Sequence, residues 1–96
     1  MLLEDVKNHL RVTWDDEDVE ITKLIERAKK YIDRLIGVSL DYEVEDTPKI
    51  LLLNYCRYSR NNSVEYFKEN FHDDILQLQL EEAIKKQGEQ NETTQA

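Results

Sequence analysis

Between residues 21 and 35 the apolar side chains fall at Ile21, Leu24, Ile25, Ala28, Ile32 and Leu35. Only an α-helix gathers that three-and-four spacing onto one side. Lys23, Glu26, Arg27, Lys29, Lys30, Asp33 and Arg34 take the opposite face. Glu26 precedes Lys30 by four positions, the favourable order for an ion pair along a helix. Gly37 follows directly, the residue best suited to a left-handed C-terminal cap. A helix from about Asp16 to Ile36 would be roughly 30 Å long, enough to serve as the spine of a small domain. The whole chain has two glycines and one proline in 96 residues, so turns are scarce and long helices are favoured.

The flanking segments agree. Leu3, Val6 and Leu10, with Leu2 beside them, predict a short helix over LLEDVKNHLRV. Thr47 and Pro48 make a helix start, a capping side chain followed by proline at the first helical position. In the helix they open, Leu51, Leu52, Tyr55, Cys56 and Ser59 share a side, and Ile50 and Leu53 widen the apolar face. Asn61-Asn62-Ser63 breaks the pattern, with Ser63 placed to cap a short helix carrying Val64, Phe67 and Phe71. A last helix starts at His72 or Asp73, with Leu76, Leu80, Ala83 and Ile84 on one face and Ile75 and Leu78 beside it. From Gly88 the sequence GEQNETTQA has no apolar residue before its final alanine, and a disordered tail is expected. The expected fold is all-α: a bundle of four to five helices with one extended loop. Residues 1–87 form the domain and 88–96 the flexible tail.

The extended loop is VSLDYEVEDTP. Val38, Leu40, Tyr42 and Val44 alternate with Ser39, Asp41, Glu43 and Glu45, a period-two pattern with one apolar face. No second strand is evident, so the segment either lays its apolar side over the helices or pairs with another chain by strand addition.

Five carboxylates (Asp15, Asp16, Glu17, Asp18 and Glu20) crowd into TWDDEDVE. A calcium-binding loop counted from Asp15 or Asp16 lacks the glycine its sixth position needs. The run suits a helix start instead: Thr13, Asp15 or Asp16 as cap, the remaining acids stabilised by the helix dipole. Its surplus charge is a candidate docking feature. Cys56 sits on an apolar face with nothing beside it to activate a thiolate, and His9 and His72 stand alone. No catalytic, cofactor or metal motif emerges. NYCRYSRNN interleaves Tyr55 and Tyr58 with Arg57 and Arg60, a pattern able to stack on bases. In a chain of net charge −8, packed tyrosines and arginines reaching a neighbour's acids fit better. That acidity opposes general binding to nucleic acid or anionic membrane. No apolar run approaches the roughly 20 residues of a membrane span. One cysteine, Cys56, cannot form an internal disulfide and fits a reducing compartment, the cytosol where the chain is made.

Leu3, Val6, Lys7, Leu10, Arg11 and Val12, the acids Asp15 to Asp18, then Ile21, Leu24, Ile25, Ala28, Tyr31, Ile32 and Gly37 resemble the small head–tail connector proteins of tailed bacteriophages. Thr47-Pro48 with its tyrosine-containing helix, and ENFHDDILQLQLEEA, extend the resemblance over roughly residues 2–87. It implies an all-helical subunit that forms a ring, usually of about twelve copies, beneath the portal protein at the capsid vertex, with the host cytoplasm as its location before assembly. Such a ring prolongs the DNA channel without sequence-specific binding and offers a docking site to a stopper, or head-closure, protein. It also implies no catalytic residues. The partner-binding residues expected on this reading are Asp15, Asp16, Glu17 and Asp18; Leu40, Tyr42 and Val44; Arg57 and Arg60; and Lys85, Lys86, Gln87, Glu89, Gln90 and Asn91 toward the portal. A small dimeric regulator or antitoxin-like module is the alternative, and a metal-dependent enzyme or sensor built on residues 15–20 is a third.

Overall fold

The computed structural model describes the backbone of residues 2–95 and the side chains of residues 2–87. Five α-helices and one 3-10 turn follow in order: α1 (Leu2–Leu10), α2 (Asp18–Ile36), α3 (Thr47–Arg60), the turn (Val64–Tyr66), α4 (Phe67–Asn70) and α5 (His72–Gln95). There is no strand among the described residues. The expected flexible tail, 88–96, lies outside the residues whose side chains are described.

The spine forms as its stripe predicts. Ile21, Ile25, Ala28 and Ile32 are buried along α2, which packs against α1, α3 and α5. Gly37 adopts φ 93° and donates its N–H to the Asp33 carbonyl at 2.7 Å, the left-handed cap. The start differs from expectation. The N-cap is Glu17 and no side chain caps the helix, because the nearby carboxylates are engaged by basic side chains. The predicted Glu26–Lys30 pair is replaced by a looser contact of Glu26 with Lys29 at 3.7 Å.

α3 buries Leu51, Leu52, Tyr55 and Cys56 as expected, but Ile50 stays exposed. Its cap is Asp46, one residue earlier than Thr47, with the Asp46 carboxylate accepting the Thr47 N–H at 2.8 Å. Ser63 does not cap by its side chain; its hydroxyl donates back to the Tyr58 carbonyl. Phe67 is fully buried where α2, α3 and α4 meet. Its ring lies 5.3 Å from Tyr55, 5.9 Å from Tyr58 and 5.2 Å from Phe71.

Two helices end in the same double-bonded turn. After α1, Val12 donates to the Lys7 carbonyl and Arg11 to Asn8, with Arg11 at φ 61°. After α3, Ser63 donates to Tyr58 and Asn62 to Ser59, with Asn62 at φ 56°. The left-handed residue of this turn is normally glycine or asparagine. Arginine at the first is therefore a costly choice.

Segment 38–46 lies along α2 without forming a strand. Tyr42 is buried, and its hydroxyl donates to Asp33 Oδ1 at 2.6 Å; the same oxygen accepts the Leu40 N–H at 3.1 Å. Burial and the Asp33 carboxylate raise the Tyr42 phenol far above its ordinary value, so it stays a donor. Asp41 accepts the Glu43 N–H, bending the chain out of extension. Tyr42→Phe should cost about 1.5–3 kcal/mol in chemical denaturation, the worth of a hydrogen bond to a charged acceptor. Val44→Ser, at an exposed position, should change stability by less than about 0.5 kcal/mol. The reverse ranking would contradict this placement.

Candidate functional site

Three surface features are available for recognition, and the first is the acidic run. Lys7, on α1, reaches across the α1–α2 turn with its Nζ 2.8 Å from Asp15 Oδ1 and 2.7 Å from Asp18 Oδ1. Asp15 and Asp18 together hold the Lys7 ammonium above its ordinary range. Glu17 accepts both Nη atoms of Arg60, at 2.9 and 3.0 Å, in the fork geometry that arginine favours. The Trp14 indole N–H adds a further hydrogen bond at 2.6 Å. Most of the run therefore staples the start of α2 to α1 and α3, and among the described residues no three of its carboxylates gather as metal ligands would. Asp16 and Glu20 remain exposed.

A cleft of about 610 Å³ opens between the C-terminal ends of α1 and α3. Asn8, His9, Arg11, Arg57, Arg60 and Asn61 line it. The Arg57 guanidinium lies 5.5 Å from the centre of the Tyr58 ring and donates to Asn54 Oδ1 at 3.2 Å. His9 is held less basic than usual, first by burial and then by the Arg57 charge. The tyrosines of this segment face inward: Tyr55 is buried, and Tyr58 packs on Phe67 and Phe71. They offer no stacking platform for bases.

The third feature is apolar. α5 turns Ile75 and Leu78 into the core, and Gln79 donates to the Leu35 carbonyl at 2.8 Å. The face expected to pack, Leu76, Leu80, Ala83 and Ile84, points outward. Leu76, Leu80 and Ile84 are 46, 53 and 68% exposed. The residues meeting the bundle are instead one position out of phase with that stripe.

The other expected partner-binding positions separate. Leu40 is half-buried and Tyr42 buried within the chain, leaving Val44 as the exposed member of that group. Lys85 lies 3.4 Å from Glu82, and Lys86 reaches the Gly37 carbonyl at 3.5 Å. Gln87 is exposed; Glu89, Gln90 and Asn91 fall outside the described side chains. Cys56 is fully buried and burial pushes its thiol up to about 12, so it is a core residue with no thiolate at neutral pH. Lys49, which the sequence does not single out, is buried beneath α1 and paired with Asp5 at 2.8 Å and with Glu45.

A family model, described as the phage gp6-like head-tail connector protein, matches residues 1–95. The chain belongs to that family. No curated protein and no solved structure matches it. The connector is thus a member of a structural family, placed at the head–tail junction of the phage particle. No described helix is long and apolar enough to cross a membrane.

Lys49 holds Asp5 below its ordinary 3.8, Lys7 does the same for Asp15, and Arg60 with Trp14 holds Glu17 below 4.5. The unfolded connector therefore takes up protons first as the solution is acidified. The stability these pairs contribute is complete above about pH 4.5 and is lost as pH falls through the lower native values. Arg60→Ala should move the Glu17 midpoint in an NMR titration up toward 4.5. An unchanged midpoint would show that the Arg60 contact is not formed in solution.

Proposed function

We propose that the connector joins the portal as a closed ring, prolongs the DNA channel and presents its far side to a stopper protein. The observation that carries this reading is the outward stripe of α5. Three large aliphatic side chains at successive turns, Leu76, Leu80 and Ile84, stand in water on a chain that buries its other helical stripes well. Such a row marks a surface that is covered in an assembly. Lys85, Lys86 and Gln87 sit at the same end, and with Glu89, Gln90 and Asn91 they form the segment proposed to reach the portal. The acidic run and the arginines supply charged contacts between neighbours, and Val44 adds an exposed apolar side chain. A net charge of −8 keeps the ring from gripping the DNA that passes through it.

Sedimentation of the connector alone and with its cognate portal ring tests the proposal. A small species alone, near the subunit mass of 11.5 kDa, that joins the portal in many copies is the expected result. A stable dimer that ignores the portal would instead support the regulator reading. Leu80→Glu combined with Ile84→Glu should leave the unfolding midpoint unchanged, since both side chains are exposed. The same pair should lower portal association at least about tenfold, since several buried CH₂ groups are forfeited. Undiminished association would remove α5 from the interface.

A further inference from the structure

The cleft between α1 and α3 gathers more positive charge than the carboxylate bound at its rim balances. Three guanidinium groups, Arg11, Arg57 and Arg60, line one depression on a chain of net charge −8. One of them, Arg60, holds Glu17 in a two-point fork at the rim of the cleft. Arg57 engages a neutral amide and an aromatic face. Gathering like charges is unfavourable unless an anion joins them.

The backbone adds a second observation. Arg11 occupies the left-handed position after α1 at φ 61°, where glycine or asparagine would be accommodated with less strain. The equivalent position after α3 carries Asn62, the residue type expected there. Strain held by a side chain that faces a binding cleft points to use of that side chain.

We propose that this cleft binds the acidic run Asp15–Glu20 of a second copy of the chain, carboxylates against guanidinium groups, as the charged joint between neighbouring subunits. The proposal rests on the self-assembly reading given under Proposed function. The occupant follows from charge. Asp16 and Glu20 are exposed, while Asp15, Glu17 and Asp18 are already turned to cations of their own chain. Within one copy the run meets the cleft only at its rim, where Glu17 takes Arg60 and leaves Asp16 and Glu20 unengaged. Lys7 turns toward Asp15 and Asp18, whereas His9 and Arg11 turn into the cleft. A copy that presents Asp16 and Glu20 to one neighbour and Arg11 and Arg57 to the other makes the head-to-tail contact a ring requires. Arginine's planar fork suits paired carboxylates, and Glu17 on Arg60 is an intramolecular instance of the contact.

The test uses the full chain and a synthetic peptide of residues 13–20, followed by NMR at the His9 ring and the arginine Nε–H groups. Saturable shifts are expected at His9, Arg11 and Arg57, because a carboxylate beside Arg57 offsets the charge that His9 faces. A peptide with the five carboxylates replaced by amides should give none. Arg11→Glu with Arg57→Glu should weaken binding at least about tenfold, a loss of the size that removing charge-assisted hydrogen bonds brings. Arg11→Gly separates recognition from folding: it should leave the unfolding midpoint no lower than wild type, and still weaken the peptide. Absence of saturable shifts, equal shifts with the amide peptide, or tighter binding of a short DNA duplex would each overturn the assignment. A chain that rings the portal but ignores the peptide removes this joint and leaves the ring. A chain that binds the peptide but never joins the portal does the opposite.

Discussion

Phe67 is the side chain through which the short second half of the connector is tied to its spine. A helix of four residues has no stability of its own, yet α4 is held because its first residue fills the gap among Tyr31, Tyr55, Tyr58 and Phe71. Edge-to-face and stacked aromatic pairs of this kind contribute about 0.5–1.5 kcal/mol each beyond their buried area. With Phe71 in that cluster, α5 must begin at His72 and run back along α2. Its rotation is then fixed by Ile75 and Leu78, which enter the core. The stripe of Leu76, Leu80 and Ile84 is left outside as a consequence. The surface proposed for assembly is thus set by the aromatic contact just before α5 and by the two side chains on its inner face.

The electrostatics follow a parallel logic. An acidic chain of this size needs its basic side chains at particular seams. Lys49 is buried between Asp5 and Glu45, joining α1 to α3. Lys7 and Arg60 join the α1–α2 turn to its neighbours. Truncating one partner of a buried pair is costly because it strands the other charge, which makes Lys49 a fixed point in the bundle. The acids beyond these seams, Asp16 and Glu20 among them, stay exposed.

Much of this was legible in the residues. The α2 stripe, its glycine cap and the apolar face of α3 follow from spacing alone, and the period-two segment correctly places Leu40 and Tyr42 on the inner side. The misses have physical causes. α5 carries two overlapping apolar faces, Ile75 with Leu78 and Leu76 with Leu80 and Ile84, and periodicity cannot say which one the bundle turns inward. The caps shifted by a residue or more because several acceptors stand in a row before each helix, and a neighbouring cation claims some of them. Lys7 pairs across eight residues and Arg60 across forty-three, separations with no local signature. The strained Arg11 was invisible because the glycine that announces a left-handed position is missing there.

The proposed assembly is tested at the vertex of phage particles that carry this chain, imaged by cryo-electron microscopy. It predicts a closed ring of this helical bundle below the portal, with the outer face of α5 covered and the turn before α2 set against the α1–α3 cleft of the adjacent copy. A vertex that contains no copy of the bundle, or a ring in which Leu76, Leu80 and Ile84 remain in solvent, would contradict it.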